Sequence, residues 1–271
     1  EIWSDADKAA VADVLAESHP HAIYLPGQAE RADDAPACRR SDLFGDEGFA
    51  TCLRKDCKGL EGDPLTECLL VDCGPRLKEL ADEKPGCATA LMAQVGKSAA
   101  AGIWTIMRPG RQAELFAYGG SNGLMLLSKV PLESPEVLDF SDISTLSRRQ
   151  AFHAKVPFGD SSLQVYCTHL TANLSRIAPY PGPFDSWSDE NLAQAQRLAA
   201  HAAGHTGPAA LLGDFNCSFA DQSAGIEANA EPSCQAITTA GYEDPAAQLS
   251  PACTYCQDNP ILAGRNRQMI I

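Results

Sequence analysis

The sequence predicts one α/β domain with a mixed, largely antiparallel sheet, helices outside it, and a disulfide-closed insertion. Three observations lead there. The 271 residues are 45% hydrophobic, enough to bury one large core. Several short apolar runs precede the clearest amphipathic helix and one more follows it, an order unlike that of a doubly wound parallel sheet. Six of the 11 cysteines, Cys38, Cys52, Cys57, Cys68, Cys73 and Cys87, fall in one polar stretch rich in Gly, Asp and Lys.

Each element has its own signal. "DADKAAVADVLAESHP" spaces apolar residues at helical intervals behind Ser4 or Asp5 as a cap and stops at Pro20. "HAIYL" reads as a strand. Residues 31 to about 98 form the insertion, with short helical patterns such as "GPRLKELADE". "GIWTIMRP", "AELFAYG" and "NGLMLLSKVPL" read as successive strands, and "RRQAFHAKVPF" with "SSLQVYCTHL" reads as a hairpin around "GDSS". "DENLAQAQRLAAHAAGH" is the strongest helix, bounded by Asp189 and Gly204; Ala209 to Leu212 form a strand expected to be buried on both faces, and "QAITTAG" is helical.

An even, dense cysteine cluster in a loop-rich segment predicts three bridges made in an oxidising compartment, since its spacing lacks the paired CxxC halves of a zinc ribbon. Cys217 and Cys234 form a further expected pair. Cys253 and Cys256 read as a local bridge, and Cys167 is the odd, buried thiol. The net charge of −14 leaves no basic face for nucleic acid, so a polyanionic partner would need a cation. No apolar stretch is long enough to span a membrane. The chain begins at Glu1, which suggests a removed signal peptide or a fragment.

"PAALLGDFNCSF" carries the chemistry. Asp214 and Asn216 lie two residues apart just past a strand, so their side chains can converge at a strand's carboxyl end, where α/β sheets build sites. Asp214 suits a general base or a hard oxygen ligand for Mg²⁺, and Asn216 can donate its amide to a phosphate or orient water. His169, ending "YCTHL", can be cationic and donate to a phosphoryl oxygen. Asp244 in "GYEDP" and Asn259 in "TYCQDNP" are further polar candidates beside prolines. His201 and His205 stand at i, i+4, a zinc-ligand spacing, but no acidic partner flanks them in sequence, so a solvated helix end is expected. "RIAPYPGPFDSW" brings Tyr180, Phe184 and Trp187 together. That loop either touches a lipid interface or bases, or packs its own aromatics.

In this order, "GLMLLSKVPL", "RRQAFHAKV", "LQVYCTHL", "QAQRL", "PAALLGDFN", "GYEDP" and "CTYCQDNP" resemble the endonuclease/exonuclease/phosphatase superfamily of metal-dependent phosphoesterases, which includes deoxyribonuclease-I-like enzymes and neutral sphingomyelinases. The resemblance implies a four-layer α/β sandwich, two mixed sheets packed face to face between outer helices. It implies Mg²⁺, or Mn²⁺ or Ca²⁺, as cofactor, with His169, Asp214, Asn216 and Asp244 catalytic and Asn259 near the substrate. The family's metal-binding glutamate closes its second strand, where "AIYLPGQAE" has Pro26 and Gly27; Glu30 is the nearest carboxylate and could join Asp214 on the metal if the strand end bulges. By the same resemblance a metal-binding Asn would precede Glu1, and a Ser-Asp-His segment would follow "RNRQMII". The reading is a single domain over residues 1–271, a secreted metal-dependent phosphodiesterase acting on nucleic acid or on a phospholipid or sphingomyelin head group. A catalytically impaired pseudoenzyme or an extracellular binding domain on the same fold is the alternative.

Overall fold

A computed structural model describes residues 1–32, 38–60, 62–95, 97–107, 113–175, 178–221 and 225–245. Asn259, Cys253 and Cys256 lie outside these residues.

Helix α1 (Asp5–Leu15) is capped by Ser4, whose side chain accepts from the Asp7 N–H, and leads to strand β1 (His21–Ile23). After the two-residue β2 (Arg31–Ala32) comes the insertion, with helices α2 (Arg40–Phe44), α3 (Phe49–Asp56), α4 (Gly62–Val71), α5 (Gly74–Glu83), α6 (Pro85–Met92) and α7 (Ala99–Ile106). β3 (Ala113–Glu114) pairs antiparallel with β2 and so clasps the insertion at its neck. β4 (Leu126–Ser128), β5 (Glu133–Asp139), β6 (Gln150–Phe158), β7 (Ser161–His169), α8 (Trp187–Ala203), β8 (Ala209–Asp214) and α9 (Glu231–Thr239) follow.

The main sheet runs β5-β6-β7-β8, antiparallel except for the parallel pair β7–β8. Alternation gives it two buried faces. On one, Ala151, Tyr166 and Leu138 meet Ala195, Leu198 and Ala202 of α8 and Ile237 of α9. On the other, Phe152 and Val165 meet Leu124 and, from the antiparallel pair β1–β4, Leu126 and Ile23. Helices therefore cover one side of the main sheet and a smaller sheet the other. This is the α/β architecture expected, although among the described residues the smaller sheet is antiparallel rather than mixed.

Several local expectations need correction. Within "GIWTIMRP" Gly102–Ile106 are helical, not a strand: three alanines precede them, and Ser98 caps α7 by accepting from the Ala101 N–H. "AELFAYG" keeps only the two-residue β3 before turning at Tyr118 and Gly119, both at positive φ. β8 is not buried on both faces: its described partner is β7 alone, and Leu212 is 49% exposed. The insertion is helical rather than loop-rich and has two apolar clusters of its own, around Leu43 and Leu80 and around Phe49 and Leu77. Bridges Cys38–Cys87, Cys52–Cys73 and Cys57–Cys68 close it, and Cys217–Cys234 joins the segment after β8 to α9. Cys167 is a free, half-buried thiol that burial pushes up to about 11, which leaves it unreactive.

Candidate active site

The site grows from the parallel pairing of β7 with β8, whose register sets His169 against Asp214 at the strands' carboxyl ends. Gly213 makes that pairing possible. Its φ is +132°, and a Cβ there would lie 1.9 Å from the Thr168 carbonyl oxygen, so no other residue fits. Beyond the strand the chain turns at Asn216, at φ 50°, whose N–H donates to Asp214 Oδ1 at 2.8 Å.

His169 is almost fully buried between two carboxylates. Its Nδ1 lies 2.9 Å from Glu1 Oε1 and its Nε2 3.5 Å from Asp214 Oδ2. The short contact assigns the proton to Nδ1, leaving Nε2 as the lone-pair side of a neutral ring. Burial, then the charge of Arg149, lowers the His169 pKa against the opposing pull of Glu1 and Asp214, which disfavours the cationic form of the ring. Burial raises the Asp214 carboxyl against the opposing pull of His169. For Glu1 burial acts upward as well, but the hydrogen bond and charge of His169, followed by Arg149, hold it down at about 2.

Arg149, at the start of β6, is the residue that sequence reasoning missed. It is buried, and its Nε and Nη1 have no hydrogen-bond partner among the described residues. Burial lowers its pKa, opposed by Glu1, Asp214 and Glu190. Its guanidinium carbon lies 5.9 Å from the Trp3 ring, which stacks on Tyr118 at 4.3 Å and 11°. The available signal was the "RR" pair opening a strand in an otherwise acidic chain.

A buried polar network fixes the scaffold. Glu190, fully buried on α8, accepts from Thr171 Oγ1 at 2.7 Å and Tyr180 Oη at 2.9 Å. Asn191 Nδ2 donates to the Thr171 and Phe215 carbonyls, tying together the loops after β7 and β8. Trp187 is also fully buried, with its Nε1 donating to the Ala178 carbonyl and its ring edge-on to Tyr180. Trp187 and Tyr180 thus pack on each other and on Met92 of α6 and Leu146, inside the fold.

Of the candidates read from sequence, His169 and Asp214 face each other. Asn216 is adjacent and buried, but its Nδ2 donates to the Leu170 carbonyl at 2.9 Å. Glu30 is engaged by Arg148 at 2.6 Å, and the same guanidinium binds Asp139 at 2.8 Å. Asp244 lies exposed past α9. Position 27 offers no carboxylate: the Gly27 N–H is held by the Asp5 carboxylate at 3.1 Å, and a Cβ at Gly27 would sit 3.1 Å from the Gly119 oxygen.

Residues 4–229 match the Endonuclease/Exonuclease/phosphatase family, which is most of the chain and includes strands β7 and β8 with Arg149, His169 and Asp214. The chain belongs to this family. Membership supports a hydrolase of phosphate esters. Sphingomyelinase C from Streptomyces griseocarneus is similar at 18% identity and TM-score 0.33, over 46% of this chain and 40% of that one. SmcL is similar at 16% identity and TM-score 0.38, over 49% of this chain and 44% of that one. The chain therefore spans less than half the length of these solved chains, and overlap of that extent bears on neither substrate nor site. Comparison with curated proteins gives no match. No helix among the described residues is long and apolar enough to cross a membrane.

Proposed function

We propose that the chain is a metal-dependent phosphodiesterase acting outside the reducing cytoplasm, with His169, Asp214 and Arg149 at its centre. The observation that carries this reading is the convergence on one buried imidazole of two carboxylates and a cation with unspent donors. Asp214 offers a hard carboxylate oxygen of the kind Mg²⁺, Mn²⁺ or Ca²⁺ accepts, whereas Glu1 lies at the opposite ring nitrogen of His169 and holds the ring. When bound, the cation would neutralise phosphate charge and polarise the reacting phosphoryl oxygen.

The chain's own groups perform the remaining work. The Asp214 carboxylate takes a proton from water as its oxygen attacks phosphorus and the bond to the leaving oxygen breaks. His169 is held by Glu1 with its Nε2 lone pair toward Asp214, where it orients that water or receives the proton in turn. Arg149 places fixed positive charge beneath the developing phosphoryl oxyanion. Asn216 positions the Asp214 turn rather than touching substrate, and Asp244 and Asn259 are retained as further members of the site on the family resemblance. The four disulfides among the described residues fit an extracellular or periplasmic location. The substrate class is a phosphodiester of nucleic acid or of a phospholipid head group.

Asp214→Asn is expected to reduce hydrolysis of bis(p-nitrophenyl) phosphate by at least about a hundredfold, the lower end for loss of a general base, with an unchanged circular-dichroism spectrum. Unchanged turnover in the variant would remove the site from consideration. A binding-only role is the second reading, favoured by Gly27 and by the commitment of Glu30 to Arg148. Calorimetric titration with Mg²⁺ or Mn²⁺ separates the two: an enzyme binds the ion, and a pseudoenzyme lacking the glutamate does not.

A further inference from the structure

On the helix-covered face of the main sheet lies a second cluster, separate from the His169–Asp214 centre. Three of the chain's six histidines converge there. Glu136 on β5 pairs in register with His153 on β6, which pairs with Tyr166 on β7. From above, the end of α8 brings down His201 and, just beyond it, His205. His153 Nδ1 lies 3.4 Å, His201 Nε2 3.6 Å and His205 Nε2 3.9 Å from the same oxygen, Oε2 of Glu136. The ligand atoms of Glu136, His201 and His205 all fall within 4.8 Å of one another. Sequence reading had set the histidine pair aside for want of an acidic partner, and the fold supplies that partner from another element.

These distances are too long for good hydrogen bonds, and one carboxylate oxygen cannot serve three rings. They match the edge of a tetrahedron, about 3.4 Å, around an ion with ligands at about 2.0–2.1 Å. A second, independent observation points the same way. His153 is fully buried, yet its Nδ1 has no hydrogen-bond partner among the described residues and is aimed at the cluster. Its other nitrogen, Nε2, lies 2.8 Å from Gln164 Oε1. That contact places the ring proton on Nε2 and leaves the Nδ1 lone pair facing the Glu136 carboxylate, a polar clash that a cation on that carboxylate would relieve. Tyr166 stacks on the same ring at 4.6 Å and fixes its plane.

We propose that Glu136, His201 and His205 form a transition-metal site, with Zn²⁺ the preferred ion and His153 beside the same carboxylate. Two imidazoles and one carboxylate suit Zn²⁺ better than Mg²⁺ or Ca²⁺, which take oxygen ligands. Three protein ligands leave the fourth tetrahedral position to water. The ion ties the carboxyl end of α8 to β5, while the amino-terminal half of the same helix holds the site loops through Glu190, Asn191 and Gln194. The ion thereby braces the helix on which the catalytic loops hang.

The test uses the whole chain, stripped with a chelator, dialysed and titrated with ZnCl₂ by calorimetry. One equivalent should bind, with affinity lowered at least tenfold in His201→Ala and in His205→Ala and unchanged in Asp214→Asn. Co²⁺ should give the intense visible absorption of a tetrahedral site. Because His201 and His205 are partly exposed, their alanine variants should fold, as a circular-dichroism melt would show. Should either fail to fold, Glu136→Gln and the wild-type Co²⁺ spectrum decide. Absence of Zn²⁺ binding, binding undiminished in the histidine variants, or a weak octahedral Co²⁺ spectrum would each overturn the proposal, and loss of Zn²⁺ binding in Asp214→Asn would assign the ion to the other site.

Discussion

Asp214 is poised by opposing neighbours, and the balance has a readable sign. Burial raises its pKa above the usual carboxylate value, Arg149 pulls it down, and Glu1 pushes it up. In its proposed role as general base it would work only when ionised, so activity should fall as pH drops through that raised value. Arg149→Gln removes the downward pull and should move the acid limb of kcat/KM to higher pH. Glu1→Gln removes the repulsion and should move it lower. Profiles on bis(p-nitrophenyl) phosphate would show both displacements, and limbs that stay put in both variants would mean that another group is the base. Asp214 was legible because GDFN places a carboxylate directly after a strand. Glu1, Trp3 and Arg149 were not, since each draws its meaning from a partner far away in sequence. The lowered pKa of His169 was equally hidden, because burial beside an arginine is a tertiary property.

At the scale of elements, the insertion stands on its own clusters and bridges. Cys38–Cys87 closes a separation of 49 residues and Cys57–Cys68 one of 11. In the chain-entropy account, the longer closure restricts the unfolded state more, by about 1 kcal/mol for this pair of lengths. Replacing Cys38 and Cys87 by serine should therefore cost about that much more stability than replacing Cys57 and Cys68, measured by urea denaturation. Equal losses would show that native packing around Leu43 and Leu77, rather than closure, sets the cost. The hairpin β6–β7, helix α8 and strand β8 were readable from periodicity and turn residues. α7 was not, because Ile103, Trp104 and Ile106 have strand propensity while the deciding signals, the alanine run and the Ser98 cap, precede them. The pairing of β2 with β3 across the insertion was equally hidden, since two-residue strands carry no period.

For the whole molecule, the charge of −14 sets a long-range field against any anionic substrate. That field acts on encounter rather than on chemistry, and salt screens it over about 10 Å at 0.1 M. A polyanion such as single-stranded DNA meets it in full, whereas a zwitterionic phosphocholine ester carries no net charge. Raising NaCl from about 10 to 200 mM at fixed Mg²⁺ should therefore increase kcat/KM on DNA and leave it nearly flat on p-nitrophenyl phosphorylcholine. This is the reverse of the salt response of a basic nucleic-acid-binding protein, whose affinity falls as counterions compete. Greater activity on the phosphocholine ester at low salt would identify a head-group substrate. A kcat/KM on DNA that falls with salt would instead require a local basic groove strong enough to outweigh the global charge, and Arg149, being buried, does not provide one.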